Sequence, residues 1–156
     1  MISLLLHQNL EIMKAEIKTA IQINATKEKV WSILTNFKDY KNWNPFIKNI
    51  EGNPEIGKRI KAEIQPPNSQ KMTFKPKVLA FEINKEFRWK GNFLIPGLFD
   101  GEHIFEIIEN DNNSVTFNHS EKFNGILVPI FLKQLNENTK LGFETMNQKL
   151  KELAEN

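Results

Sequence analysis

The sequence of 156 residues contains no cysteine. Disulfide bonds, thiol nucleophiles and thiolate metal sites are therefore excluded, and the composition fits a reducing compartment. The sequence also has no apolar run of the roughly 20 residues needed to cross a bilayer. Its first residues lack the basic segment of a secretory signal, so we predict a cytoplasmic location.

Neither sign of charge is in excess, because 21 Lys and Arg residues are matched by 19 Asp and Glu residues. Net charge therefore provides no reason to expect nucleic-acid binding, and we predict none. The basic residues between positions 59 and 90 fall mostly on the outward face of predicted strands. A solvated surface is the ordinary explanation of this pattern, and contact with anionic lipid headgroups is the alternative.

Several catalytic signatures are missing as well. The chain has no glycine-rich phosphate loop, no nucleophile elbow and no pair of histidines one helical turn apart. These absences argue against kinases, other nucleotide-dependent enzymes and serine hydrolases. We predict that the protein uses no cofactor.

The chain does contain a clear succession of periodic segments. Apolar and polar residues alternate over 15–24, which predicts a strand with one solvated face. Thr26 is suited to cap a short helix that extends through Phe37. A second short helix ends at Asn44-Pro45, because the residue before proline avoids the helical region.

Five runs with strand periodicity follow the two short helices. The segment 111–113 separates the last two runs as a hairpin turn. Pro76 interrupts the second run, where we expect a bulge or an edge position. The five runs are 58–65, 71–82, 86–93, 102–109 and 114–123.

From about Pro129 the apolar spacing becomes helical, over about six turns. A sheet with one apolar face must be covered, and this helix alone is long enough to cover it. We therefore predict an α+β fold, in which a curved antiparallel β-sheet wraps around a long C-terminal α-helix and two short helices follow the first strand. The apolar stripe of the long helix consists of Leu132, Leu135, Thr139, Phe143, Met146, Leu150 and Leu153.

Residues 1–12 share no period with the segment that follows them. We interpret them as an N-terminal extension, consistent with a translation start assigned too far upstream, with Met13 as the alternative start. Residues 13–156 then form one domain. The other interpretation is that 1–12 form a short helix packed on this domain.

Several short strings carry a resemblance to a known family. They are 30–31, 36–37, 43–46, 87–91, 99–105 and 121–125, taken with the order of the elements. This set resembles the START-like or SRPBCC superfamily, in particular its polyketide cyclase/dehydrase and lipid-transport-like branch, over about residues 15–153. The resemblance implies the helix-grip fold. It is a poor guide to activity, because the superfamily includes lipid carriers, hormone and sterol binders and cyclases.

Three polar side chains interrupt the apolar inward face of the last two strands: His103, His119 and Glu121. A three-residue hairpin loop sets His103 opposite Glu121 and Phe105 opposite His119, whereas a register shift of two residues sets His103 opposite His119. In either register His103 has a titratable neighbour on the adjacent strand.

These three side chains allow four interpretations. His103 and Glu121 can be a structural pair that satisfies its own hydrogen bonds, or a polar anchor for a ligand. They can also be catalytic candidates, with His119, for general acid–base chemistry. A metal site of two histidines and one carboxylate is the fourth interpretation, but the spacing does not require it and we predict no metal.

The sheet and the long helix are expected to enclose a pocket of a few hundred Å³ that holds a ligand. Thr139 favours a pocket with some polar content, because a closed apolar core would more naturally have leucine there. Aromatic residues in a small domain are more often simply core. The predicted ligand-binding residues are Phe74, Trp89, Phe105, Phe117 and His119 from the sheet and Leu135, Thr139 and Met146 from the helix.

Two apolar segments, 93–99 and 126–131, lie at turns where polar residues are expected. Either both fold back onto the core, or they form a gate over the pocket that also touches a membrane or a partner during ligand exchange. The predicted gate residues are Leu94, Ile95, Leu98, Phe99, Leu127 and Ile130.

The functional hypothesis is a binding or carrier domain for a small hydrophobic molecule, such as a fatty acid or an aromatic polyketide-like compound. One alternative, implied by the family resemblance, is a cofactor-free cyclase or dehydratase that uses His103 and Glu121 as acid and base. A further alternative is a protein-interaction module in which the cavity is vestigial.

Overall fold

The structure, a computed structural model, describes residues 13–156. The two interpretations of residues 1–12 fall outside the described residues. The described chain begins with strand β1 (Met13–Ile23), helix α1 (Lys27–Leu34), a 3₁₀ turn (Phe37–Asp39) and helix α2 (Tyr40–Trp43). The next strands are β2 (Ile47–Glu51), β3 (Lys61–Ile64), β4 (Met72–Phe74), β5 (Lys77–Glu82), β6 (Glu86–Asn92), β7 (Asp100–Glu109) and β8 (Val115–Gly125).

The strands form two antiparallel sheets, ordered β1-β8-β7-β6-β5 and β2-β3-β4. Backbone hydrogen bonds join the sheets: Val78 N donates to Lys58 O at 2.9 Å, and Ile60 N donates to Pro76 O at 3.0 Å. Pro76 interrupts the predicted run 71–82 so completely that β4 and β5 belong to different sheets. Pro76 has no N–H to donate, but its carbonyl oxygen accepts the hydrogen bond from Ile60 N that joins the two sheets.

Strand β2 was not predicted from the sequence. Its buried residues are Ile47 and Ile50, a spacing of three that is typical of a helix. The structure explains the spacing by a register irregularity between Ile47 and Asn49, opposite β3. The extra residue of this bulge returns Ile50 to the same face as Ile47.

The C-terminal helical segment consists of α3 (Val128–Gln134), a π-helical turn (Leu135–Thr139) and α4 (Lys140–Glu155). Most of the predicted apolar stripe is buried, but Leu153 is 40% exposed and Ala154 is buried in its place. At 100° per residue, Leu153 lies about 80° from the direction of Phe143, whereas Ala154 lies about 20° from it. Within the described residues, no helix is long and apolar enough to cross a membrane.

Helix α4 lies against the inner face of the five-stranded sheet. Phe143 is fully buried, and its ring meets that of Phe46 edge-on at 5.2 Å. A Cβ atom at Gly142 would overlap the ring of Phe46, so the close approach requires glycine. Asn44 Oδ1 holds the Phe46 backbone in place by accepting from Phe46 N at 3.0 Å and from Ile47 N at 2.8 Å.

Candidate functional site

Strands β7 and β8 pair in the register predicted for a three-residue turn. His103 lies opposite Glu121, and Phe105 lies opposite His119. Both histidines point inward and are fully buried, whereas the Glu121 side chain is 15% exposed. The structure therefore confirms the prediction that these three side chains lie close together on the inward face of the last two strands.

The three side chains belong to a longer chain of hydrogen bonds. His103 Nδ1 lies 3.1 Å from Glu121 Oε2, and His103 Nε2 lies 2.8 Å from His119 Nε2. On the far side, His119 Nδ1 lies 2.8 Å from Asn147 Oδ1. Asn147 Nδ2 then donates to Thr19 Oγ1 at 2.8 Å, and the Thr19 hydroxyl donates to the His119 carbonyl at 2.8 Å.

Aromatic rings enclose both histidines. The Trp89 ring stacks on His103 with centroids 4.8 Å apart, and the Phe143 ring stacks on His119 at 3.8 Å. Burial, and to a smaller extent the neighbouring His103, holds the pKa of His119 well below its ordinary value. His119 is therefore neutral at pH 7.

Asn147 and Thr19 were not predicted as members of this site. Asn147 is buried on the inward face of α4, one turn after Phe143, where an apolar residue is expected. This position could have been recognised from the sequence, because a polar amide on the buried face of a helix needs hydrogen-bond partners and so indicates a buried polar site. Thr19 shares the inward face of β1 with Ile17 and Ile21 and lies opposite His119 in the register.

A solvent-accessible pocket lies beside this network, between the sheet and the start of the C-terminal helical segment. An inner part of about 90 Å³ adjoins an outer part of about 140 Å³. Among the described wall residues Glu121 alone is ionisable. The other polar side chains are Asn92, Gln134 and Thr139, so the pocket is a mainly apolar space with one carboxyl group. The wall residues common to both parts are Pro66, Met72, Phe74, Phe93, Phe99, Leu135 and Thr139.

The π-helical turn supplies part of the helical wall, next to Phe131 and Gln134 of α3. Leu135 and Thr139 are the first and last residues of this turn, and both line the pocket. A π turn adds a residue to one helical turn and often occurs at functional sites. It was not predicted, because the spacing of four between these two positions is also that of an α-helix.

The structure divides the predicted ligand-binding residues into two groups. Phe74, Trp89, Leu135 and Thr139 line the pocket. The other four are buried in the packed interior and are not part of its wall, because aromatic stacking fills the space around them. These four are Phe105, Phe117, His119 and Met146.

Several wall residues lie outside the predicted set. Phe46 lies directly before β2, which was not predicted, and Ile64 lies on β3, which was predicted only as a strand. Gly101 lies opposite Phe123 in the register and leaves space beside Glu121. The pocket is thus nearer to β4 and α3 than we predicted.

The two apolar segments at turns contact each other directly. Leu127 N donates to Leu98 O at 3.0 Å, and Ile126 N donates to Gly97 O at 3.3 Å. Gly125 has φ +143°, and a Cβ there would overlap the Leu98 carbonyl, so this junction requires glycine. The two segments are therefore joined by hydrogen bonds at this point rather than separated by an opening. The outer pocket lies between Phe99 and Phe131 on one side and Pro66 and Met72 on the other.

The predicted gate residues occupy different positions around this junction. Leu94, Ile95 and Ile130 are 72%, 59% and 72% exposed. Leu98 and Leu127 are half-buried at the junction itself. Phe99 lies on the pocket wall, where its ring packs against Phe123 at 5.4 Å and Phe131 at 5.2 Å.

Residues 14–155 match the family model described as polyketide cyclase/dehydrase and lipid transport. The chain belongs to this family. The START-like resemblance and the helix-grip fold are thereby confirmed. No curated protein matches the chain in sequence.

Solved structures share the fold at low sequence identity. A START superfamily protein from Mycobacterium smegmatis is 19% identical, with a TM-score of 0.67 and coverage of 90% of this chain and 97% of that one. Norcoclaurine synthase from Thalictrum flavum, in complex with dopamine and hydroxybenzaldehyde, is 12% identical, with a TM-score of 0.67 and coverage of 91% and 87%. The di-domain ARO/CYC protein BexL from the BE-7585A biosynthetic pathway is 12% identical, with a TM-score of 0.69 and coverage of 92% and 50%.

Proposed function

We propose that this protein is a binding or carrier domain for a small hydrophobic molecule. The observation that carries the proposal is the apolar, solvent-accessible pocket whose one ionisable wall residue, Glu121, is held by a buried hydrogen-bond network. A pocket of this composition excludes water from most of a ligand and fixes its orientation by few polar contacts. Family membership supports the same class of function. The cytoplasmic location stays a prediction.

The apolar segments 93–99 and 126–131 support a carrier function in particular. Leu94 and Ile130 are exposed beside the outer pocket, and Leu94 has φ +66°, a conformation that costs a leucine roughly 1–2 kcal/mol. Nothing in the packing of Leu94 offsets this cost, since its side chain is in solvent. We infer that the two joined segments form the gate past which a ligand enters, with transient contact to a membrane that delivers it.

A second candidate function is cofactor-free acid–base catalysis of the cyclase or dehydratase type. The observation that favours it is the His103–Glu121 pair. These two side chains, an acid and a base 3.1 Å apart, bring a hydrogen-bonded pair to the pocket wall. A carboxyl group that exchanges a proton with a neighbouring imidazole can act on a substrate held in the pocket. Turnover, rather than binding alone, separates this candidate from the first.

The experiment that tests the binding function is native mass spectrometry of the purified protein, followed by thermal melts with small apolar compounds. A ligand that binds only the folded state raises the melting temperature by mass action. We expect a co-purifying small molecule or a dose-dependent shift. If neither is found across a broad set of lipophilic compounds, the interaction-module alternative replaces the binding function.

A further inference from the structure

The carboxyl group of Glu121 has one occupied oxygen and one free oxygen. Oε2 faces His103 Nδ1 at 3.1 Å, whereas Oε1 has no hydrogen-bond partner among the described residues. A Cβ atom at Gly101 would lie 2.5 Å from Oε1, so the absence of a side chain at this position makes room for it. Since Glu121 lines the pocket, Oε1 is the carboxyl oxygen that a ligand can meet there.

The hydrogen bonds on the other side of His119 have a defined direction. The carbonyl oxygen of His119 can only accept, so the Thr19 hydroxyl donates to it. Thr19 Oγ1 therefore accepts from Asn147 Nδ2, which fixes the orientation of the amide. Asn147 Oδ1 then faces His119 Nδ1 and accepts its proton.

This direction continues through both imidazole rings. A neutral His119 with its proton on Nδ1 has a lone pair on Nε2. His103 Nε2 must therefore donate across the 2.8 Å separation. His103 Nδ1 is left to share one proton with Glu121 Oε2, because two lone pairs would otherwise face each other at 3.1 Å.

The position of that shared proton does not change the character of Oε1. If the proton is on His103, Oε1 belongs to a carboxylate, and if it is on Oε2, Oε1 is the carbonyl oxygen of a carboxylic acid. In both states Oε1 carries only lone pairs. Its partner must therefore be a hydrogen-bond donor.

We propose that the pocket selects apolar molecules that carry a hydroxyl group, alcoholic or phenolic, which donates to Glu121 Oε1. This inference rests on the proposed binding function and narrows its ligand class. A fatty acid is disfavoured, because its carboxylate would bring two further acceptor oxygens against Oε1 and would lose its own hydration. An ether of the same shape fills the pocket but leaves Oε1 unpaired.

The test compares three probes of one shape: 4-propylphenol, its methyl ether and 4-propylbenzoate, each titrated at pH 7 by calorimetry. We expect the phenol to bind about 10- to 100-fold more tightly than the ether, and the benzoate to bind more weakly than the phenol. Equal affinities for phenol and ether, or tightest binding of the benzoate, would overturn the selectivity while leaving the pocket intact. If none of the three binds and no apolar compound raises the melting temperature, the proposed binding function fails and this inference fails with it.

Two substitutions of Glu121 separate this selectivity from a structural role. In Glu121→Gln the amide nitrogen can donate to His103 Nδ1, and the amide oxygen stays toward the pocket, so the preference for phenol over ether should remain within about threefold of the original. Glu121→Met fills the same space without an acceptor and should abolish the preference. Loss of the preference in both variants, or its retention in both, would contradict the assignment.

A substitution at a residue outside the hydrogen-bond network tests the same contact in case the Glu121 variants do not fold. Gly101→Ala places a methyl group against Oε1 and should reduce the preference for phenol by displacing that oxygen. The matched control is Gly91→Ala, since Gly91 pairs with Gly101 in the register and also lines the pocket, but a Cβ there would only touch Pro76 at 3.4 Å and should leave the preference unchanged. If Gly101→Ala folds and keeps the full preference, Oε1 is not the atom that the hydroxyl meets.

Discussion

The space between the sheet and the C-terminal helical segment differs sharply at its two ends. Under α4 it is closed by Phe105, Phe117 and Phe143, all fully buried, with the first two rings stacked at 6.0 Å. Under α3 and the π turn it is open, and Phe74 and Phe99 are only half-buried on a pocket wall. The same fold thus supplies a packed core and an open pocket side by side.

Phe46 is the boundary between these two ends. One side of its ring packs against Phe143 at 5.2 Å and against His103 at 6.4 Å, and the residue also lines the pocket. Gly142 permits this position by allowing the ring to lie directly against α4. If the proposed function is right, substitutions at the packed end should mainly change stability, and substitutions at the open end should mainly change ligand binding.

The largest expected effect comes from the packed end. Phe143→Ala removes a fully buried ring that contacts His119 and Phe46, and it should lower the free energy of unfolding by about 3–5 kcal/mol. Urea denaturation at pH 7 measures this loss. A loss of less than about 1 kcal/mol would mean that the space around Phe143 is not packed as the structure describes.

The buried His119 should make the stability of the packed end depend on pH. Its pKa is lowered in the folded state, whereas in the unfolded chain it takes up a proton near pH 6.5. Below about pH 6.5 the unfolded state therefore binds more protons, and the free energy of unfolding falls by up to about 1.4 kcal/mol per pH unit.

Urea denaturation between pH 7.5 and 5 checks this dependence. His119→Gln serves as the comparison variant, because it keeps a polar side chain but does not titrate. We expect the decline in stability toward low pH to be shallower in the variant. Parallel curves for the two proteins would show that His119 takes up its proton equally in both states.

Thr139→Leu should affect the open end without weakening the packed one. Thr139 is on the pocket wall, and a leucine there fills part of the space. The unliganded protein should melt at the same temperature or higher, and the ligand-induced shift should shrink. The control is Thr145→Leu, since Thr145 lies on α4 outside the described pocket walls and should leave the ligand-induced shift unchanged.

The smallest effect on stability is expected at the gate. Leu94→Ser and Ile130→Ser change side chains that are each 72% exposed, so the free energy of unfolding should change by no more than about 0.5 kcal/mol. Binding to phosphatidylcholine vesicles should nevertheless decrease. Ile83→Ser, at a 74% exposed position in the turn between β5 and β6, should leave vesicle binding unchanged. Equal effects at all three positions would contradict a specific gate.

Much of the fold could be predicted because strand alternation determines which side chains share a face. The pairing of His103 with Glu121 follows from that alternation and from the length of one turn. Strand β2 was missed because a bulge changes its period from two to three. Leu153 was misplaced because an apolar residue at the edge of a helical stripe resembles one at its centre.

The position of the pocket was less predictable than its existence. Alternation shows that Trp89, Phe105 and Phe117 share one face, but it does not show how far along the strands the helix stays in contact. The extent of this contact depends on the packing of Gly142 against Phe46, two residues that are distant in sequence. It also depends on a π turn, which has no sequence pattern that distinguishes it from an α-helix. Glu121 was correctly placed beside His103, but its contact with the pocket needed three-dimensional geometry.

The central claim is that ligands bind at the open end and not in the packed end. Methyl NMR of methionine-labelled protein tests it directly, because Met72 lines the pocket and Met146 is fully buried in the packed interior. Titration with 4-propylphenol should shift the Met72 methyl signal progressively and leave that of Met146 nearly unchanged. A shift of Met146 without one of Met72 would place the ligand in the end described here as closed, and would contradict the account.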